Sequence, residues 1–343
     1  MGSVNPLVSV VICTQNRPHL VGRAVQSALA QTLHALEVIV VQDGPNDATV
    51  QVLRQIRDPR LTVHVLAHNV GPPDAQNAGA AEARGRWVAF LDDDDEFLPQ
   101  KLEIQLHAAQ QSRYRYPIVL CRIIGRAASG DRVWPRRLPR PNEPISEWLF
   151  CRRSPFFGEG LLQTDMIFTS KRLLSMVPFL SDLRDHDDID WLLRASAVKG
   201  AGVEFVRAAQ PLAIYHMDEN RGRMTQSTDW RYSLAWIQAR KHLVTKRGYG
   251  SFVLTWMGSD EARQAHWDAF LPLLREAFQH GQPALIDLLS YLAHWLLPES
   301  VKRQLAAFFA RYWASREPGT ERGLLSWHVG QCPGSPGKLP YRS

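Results

Sequence analysis

The sequence predicts an α/β protein, with a mostly parallel sheet carrying helices on both faces, followed by a helical region. Residues 7–13, 36–41 and 87–91 are continuous apolar runs, the pattern of strands buried on both faces. Helix-forming stretches alternate with them at the spacing of a doubly wound sheet. The third run breaks directly into Asp92-Asp93-Asp94-Asp95-Glu96, acid at a strand's C-terminal end, where such sheets hold their ligands.

Taken in order, the first strand ends in Thr14-Gln15-Asn16-Arg17-Pro18, and a helix is expected over about 19–31. The second strand runs into Gln42-Asp43-Gly44-Pro45, after which Asn46 or Asp47 is placed to cap a helix reaching about residue 57. A third strand covers 61–66, and Gly71-Pro72-Pro73 precedes a helix over 74–84. Beyond the acidic run come a helix over about 98–112 and a strand over 118–124. Residues 125–144 crowd Arg132, Arg136, Arg137 and Arg140 among prolines, either a solvated loop or one that binds an acceptor or a diphosphate.

A strand at 166–170 leads through a short helix to a second acidic knot, Asp185-His186-Asp187-Asp188-Ile189-Asp190-Trp191. On a helix Asp187, Asp190, Trp191 and Arg194 share a face, with Asp188 pointing elsewhere. Complementing the helix dipole accounts for one or two of these acids, not all of them. Strands at 203–206 and 211–216 close the sheet, ending on His216.

Helices are expected over 230–245, 260–280, 284–297 and 299–315. The last two have broad apolar faces, Leu288, Leu289, Leu292, Trp295 and Leu296, then Leu305, Phe308, Phe309, Tyr312 and Trp313. Lys302, Arg303, Arg311 and Arg316 accompany them, so 284–315 either packs on the preceding domain or lies in a membrane interface. The resulting division is 1–220, 221–316 and a loosely ordered tail, 317–343.

Composition narrows the function. A chain of 343 residues that is 45% hydrophobic can bury a large core, and its net charge of +6 implies an anionic partner. Cys13, Cys121, Cys151 and Cys332 are scattered without a paired motif and read as reduced thiols of a cytoplasmic protein. The start lacks the regions of a signal peptide, and no segment is long and apolar enough to span a bilayer. Neither a Gly-x-Gly-x-x-Gly turn nor a P-loop follows the first strand, which disfavours phosphate cradles built from glycine backbone. Consecutive carboxylates repel one another, and Mg²⁺ or Mn²⁺ is the hard cation that would neutralise them. The tryptophans fall mostly on helical apolar faces, so no nucleic-acid partner is expected.

Four motifs in order resemble those of an inverting family-2 glycosyltransferase with the GT-A fold. They are the first strand with Thr14-Gln-Asn-Arg-Pro18, and Val40-Val-Gln-Asp43-Gly44. The third runs from Gly71 through Asn77-x-Gly79 and Gly85 to Asp92-Asp-Asp94-Asp95, and the fourth is Asp187-Asp188-x-Asp190-Trp-x-Leu-Arg194. The resemblance covers about residues 6–220, with Gln76 where the family commonly has Arg and Asp187 where it more often has Glu. It implies a nucleotide diphosphate sugar donor, UDP before dTDP, a saccharide or lipid-linked acceptor, and Mn²⁺ or Mg²⁺.

By that resemblance Asp43 accepts a hydrogen bond from the pyrimidine, Thr14 lies near the same base, and Asp92 or Asp93 sits by the ribose. Asp94 ligates the metal, His216 helps bind metal or diphosphate, and Asp188 is the general base. The competing readings are a nucleotidyltransferase, which would usually carry a Gly-rich basic loop after the first strand, and a non-catalytic nucleotide- or nucleic-acid-binding protein.

Overall fold

The computed structural model describes residues 5–128, 130–154, 158–206, 210–217, 229–298, 300–302 and 304. The chain opens with β1 (Val8–Thr14), α1 (Pro18–Leu29), β2 (Leu36–Gln42), α2 (Asp47–Gln55), β3 (Leu61–Val65), α3 (Pro72–Glu82) and β4 (Trp87–Asp92). Then come β5 (Glu96–Phe97), α4 (Lys101–Gln111), β6 (Tyr116–Leu120), β7 (Ile123–Arg126), β8 (Arg132–Trp134) and α5 (Ile145–Phe150). A 3-10 turn (Thr164–Met166) leads into β9 (Phe168–Ser170), α6 (Lys171–Met176), α7 (Asp187–Ser196), β10 (Ala201–Phe205) and β11 (Ala213–His216). The helices α8 (Trp230–Ala239), α9 (Lys246–Ser251), α10 (Gly258–Arg263), α11 (Phe270–His280) and α12 (Leu285–Leu296) complete the described chain.

The main sheet has seven strands in the order β10-β6-β9-β4-β1-β2-β3, all parallel except β9. Its central strands β1, β2 and β4 are buried along almost their whole length, as uninterrupted apolar runs require. Helix α3 lies close on them because Gly79 faces Val11: a Cβ there would sit 2.3 Å from Val11 Cγ1. Asn77 on the same helix latches the loop after α6, its side chain exchanging hydrogen bonds with the main chain of Phe179 at 2.8 and 2.9 Å.

Several elements depart from expectation. The apolar run at 118–124 is two strands, β6 in the main sheet and β7 in a second sheet ordered β5-β11-β7-β8. The strand ending at His216 joins that second sheet rather than closing the first, and the Arg-rich stretch contributes β8 to it. Residues 246–259, assigned to no element from the sequence, are helical, with a π-helix (Phe252–Met257) between α9 and α10. Thr245 caps α9 through Gly248 N–H, and Gly248 and Gly250 within it hid the helical pattern from periodicity.

Residues 1–295 form one compact unit, and 296–343 a second of which little is described. Within the first, α12 buries Asp287, Tyr291 and Trp295 while Leu285 and Leu289 face outward. The helix expected over 299–315, apart from residues 300–302 and 304, the tail 317–343 and Cys332 lie outside the described residues. Among the described residues no helix is long and apolar enough to cross a membrane.

Candidate active site

The parallel register carries the C-terminal ends of β1, β2 and β4 to one edge of the sheet. Cys13 pairs with Asp92, Thr14 with Gln42, and Asp43 N–H donates to the Thr14 carbonyl at 2.9 Å. Thr14 Oγ1 donates to Asp93 Oδ2 at 2.6 Å, so two residues 79 positions apart meet through hydrogen-bonded strands. Arg17 Nη1, just beyond β1, reaches Asp93 Oδ1 at 3.1 Å and Asp94 Oδ2 at 3.2 Å. Arg23 donates to the Asp94 carbonyl.

Asp92, Asp94 and Asp95 each offer a carboxylate oxygen, and these oxygens lie within 4.8 Å of one another. Burial first, then Asp95, Asp94 and Asp93, push the Asp92 carboxyl well above the usual carboxylate range. Burial likewise raises Asp93, to about 6, although Thr14 and Arg17 pull it down. Three converging hard oxygen donors held in mutual repulsion fit Mg²⁺ or Mn²⁺ and suit no soft metal.

Asp43 is buried, and its carboxylate accepts from Val70 N at 2.7 Å and Gly71 N at 3.0 Å, tying the loop before α3 to the end of β2. Gly44 beside it has φ of +82°, and a Cβ there would sit 3.1 Å from Asn69 N. Gln76, in the first turns of α3, is buried with no hydrogen-bond partner for its Oε1 among the described residues. His216 Nε2 sits 2.7 Å from Glu96 Oε1, while its main-chain N–H donates to Asp95 Oδ1 at 2.8 Å. Its ring is thus engaged with Glu96, and its contact with the triad runs through the backbone.

Sequence reasoning missed Asp165. It is fully buried in the turn before β9, and its Oδ1 accepts the Asp92 N–H at 2.8 Å. Because β9 runs antiparallel to β4, the start of one strand lies against the acidic end of the other. Burial, Asp95 and Asp92 raise the Asp165 carboxyl well above its usual range. A lone acid before a short strand carries no local signal. Arg17 lies within the Thr14–Pro18 motif, and the fold turns it to face the acids.

The second acidic knot approaches the first. Asp187 is among the charges that raise Asp92. The approach is set by packing: Trp191 of α7 stacks on Phe179 at 5.5 Å, and Phe179 meets the ring of Phe90 in β4 edge-on at 5.4 Å. Trp191 Nε1 also donates to the Val177 carbonyl at 2.8 Å. Asp188 is partly buried in the first turn of α7, its carboxyl raised well above the usual range by burial and then by Asp187. A carboxylate poised above its solution value is suited to accepting a proton near neutral pH.

Asp190 has a different task. Fully buried, it accepts from Arg194 Nε at 2.5 Å, Arg240 Nε at 2.7 Å and Trp236 Nε1 at 3.1 Å, joining α7 to α8. His186, left-handed at φ 65°, closes against the same helix, its Nε2 2.8 Å from Ser233 Oγ and its ring 4.6 Å from Trp236. Within the Arg-rich stretch Arg137 pairs with Glu143, which also holds Arg153.

Sheet order, the antiparallel β9 and acids at the strand ends define a protein of the GT-A fold. The solved structure of Staphylococcus aureus TarS 1–349 in complex with UDP-GlcNAc agrees, with a TM-score of 0.53 over 87% of this chain and 92% of that one, at 17% identity. The sequence model of glycosyl transferase family 2 matches residues 9–178. The chain is 42% identical over 229 residues to the succinoglycan biosynthesis protein ExoO of Rhizobium meliloti, covering 62% of each chain. It is 29% identical over 248 residues to the amylovoran biosynthesis glycosyltransferase AmsB of Erwinia amylovora, covering 70% of this chain and 79% of that one. The chain thus spans less than two thirds of the length of the Rhizobium protein.

Proposed function

We propose that the protein transfers a hexose, with inversion, from a nucleotide diphosphate sugar to a hydroxyl of a saccharide or lipid-linked acceptor during polysaccharide assembly. UDP is the first choice of nucleotide and dTDP the second. The observation that carries this reading is the Asp92–Asp94–Asp95 triad at the end of β4, with Asp187 at the start of α7 near enough for its charge to raise the Asp92 carboxyl. The polysaccharide roles in the names of the two relatives, and the UDP-sugar held by TarS, support the substrate class.

Asp94 would hold the divalent cation with Asp92 and Asp95, while Arg17 and His216 fix the surrounding carboxylates. A bound cation supplies charge stabilisation to the departing diphosphate. Thr14 and Asp43 line the base side, with Asp93 beside the ribose. Asp188 takes the proton from the acceptor hydroxyl as that oxygen attacks the anomeric carbon opposite the leaving group. Two separate carboxylate groups are needed because leaving group and nucleophile occupy opposite faces of the sugar, as in inverting glycosidases.

The outward face of α12, with Leu285 at 69% and Leu289 at 56% exposure, together with the rest of 284–315, would rest on an anionic bilayer at the cytoplasmic face, holding the enzyme near a lipid-linked acceptor. Liposome flotation with and without anionic lipid tests this docking, and absence of flotation on both would reject it.

For the activity, a thermal-shift panel of nucleotides and nucleotide sugars with and without Mn²⁺ is decisive. A metal-dependent rise with UDP or dTDP species is expected, since a ligand that binds the native state raises its melting temperature. No rise with any nucleotide would sink the reading.

A further inference from the structure

A concavity lies against the π-helix. It has a volume of about 210 Å³ and is formed where residues 149–152 and 158–160 face the helical run through the π-helix. Its working side chains are Arg152, Glu159, Trp256, Ser259, Asp260 and Arg263. None of these belongs to the four sequence motifs or to the acidic triad.

The π-helix builds this wall. Its wide turns place Phe252 inward, fully buried, 5.7 Å from the His186 ring, while Trp256 is partly exposed to the cavity and braced edge-on by Phe150 at 5.7 Å. Trp256 and Phe252 stand 6.0 Å apart, so two ring contacts link the cavity to the residue that precedes Asp187. Single π-turns within α-helices are frequent at functional sites.

The polar groups are unevenly committed. Glu159 Oε2 already accepts the main-chain N–H of Arg153 at 2.6 Å, and Asp260 pairs with Arg263. Arg152 is different: its guanidinium donates no hydrogen bond among the described residues, and its charged neighbours are Asp287, Glu159 and Arg263. A planar group with five donors, half enclosed and uncommitted, is open to a ligand with several oxygens. With cations and carboxylates both in the lining, the cavity matches a neutral polyol better than a bare anion. One aromatic face, one guanidinium without a hydrogen-bond partner among the described residues and flanking carboxylates are the complement of a sugar ring, apolar on its C–H face and hydroxylated at its rim.

We propose that this cavity is a subsite for one pyranose ring of the acceptor, with Trp256 as the stacking face and Arg152 as donor to ring hydroxyls. The inference rests on the glycosyl-transfer reading and names where that reaction's acceptor would be gripped.

The test uses the whole protein with UDP and Mn²⁺, and methyl β-D-glucopyranoside, methyl β-D-galactopyranoside and methyl N-acetyl-β-D-glucosaminide as probes in saturation-transfer NMR. At least one glycoside should show transfer from the wild type. Its affinity should fall by about 3–10-fold in both Trp256→Ala and Arg152→Gln, the scale of one lost contact. The thermal shift given by UDP with Mn²⁺ should persist in both variants, which also shows that they are folded. Signals equal in wild type and Arg152→Gln, or no glycoside signal beside a normal nucleotide shift, overturn this inference alone. A response to inorganic phosphate but to no glycoside also overturns it, in favour of an anion site. A wild type without any nucleotide shift removes the underlying reading and this inference with it.

Discussion

The two acidic groups of this protein are held in different ways. Asp92 to Asp95 sit at the end of a buried parallel strand, positioned by main-chain hydrogen bonds to β1 on one side and β9 on the other. Their neighbours Thr14, Arg17 and Asp165 arrive on adjacent strand ends or the segments beside them. Asp187 and Asp188 sit instead on the first turn of a helix, and that helix is held by side chains. Asp190 ties it to Arg240 and Trp236, His186 to Ser233, and Trp191 to Val177 and Phe179. The strand-end group is therefore as rigid as the sheet, whereas the placement of the helix depends on α8, beyond the region where the family motifs lie. Donor affinity should follow the first group, and turnover the second.

The sharpest way to break this comparison is at the strand end. Asp94→Ala removes one of the three converging carboxylates and should abolish transfer together with metal-dependent nucleotide binding. Calorimetric titration of UDP in Mn²⁺ reads this directly, and unchanged affinity would clear Asp94 of the role. On the helix side Asp188→Asn should behave oppositely, lowering turnover by about 10²–10⁴-fold, the usual cost of a lost general base, with the donor dissociation constant nearly unchanged. Asp187, whose charge reaches Asp92, is the necessary comparison. A collapse confined to Asp187→Asn would move the base by one residue.

The side-chain anchoring of α7 has its own test. Asp190→Asn leaves the guanidinium groups of Arg194 and Arg240 without their buried carboxylate, a loss of about 3–5 kcal/mol in stability. Urea denaturation measures it, and a shift close to zero would mean that α8 does not hold the helix. Below that in size is Asp43→Ala, which unpairs the amides of Val70 and Gly71 and should cost about 1–3 kcal/mol in stability and in nucleotide affinity together. Loss of affinity without loss of stability would separate the two duties.

The smallest effect expected is a dependence on pH. Asp93 is raised to about 6 in the fold, so its neutral form is favoured there. The stability it contributes is fully present below the unfolded carboxyl value and is lost as the pH rises through about 6. Asp92 and Asp165, raised in the same direction, add to this. The melting temperature in EDTA should fall from about pH 5 to about pH 8, and Mn²⁺ should restore more of it at the higher value, where the carboxylates are ionised. An equal gain from Mn²⁺ at both would place the metal elsewhere.

Sequence alone was enough for the α/β class, the strands that form the sheet's centre and the two acidic groups, because each is written in consecutive residues. A buried parallel strand is an unbroken apolar run, and a cluster of like charges at its end has no structural purpose without a counter-ion. Gly79 and Asn77 were also visible as motif residues, although their tasks proved to be close helix packing and latching of Phe179. The fold alone decided that Asp165 joins the triad, that Asp190 is an anchor rather than a reacting group, and that residues 118–126 divide between two sheets. It also decided that Arg152 and Trp256 share one cavity. These facts join residues about 50 to 105 positions apart or turn on strand direction and helix pitch, and a one-dimensional pattern carries neither.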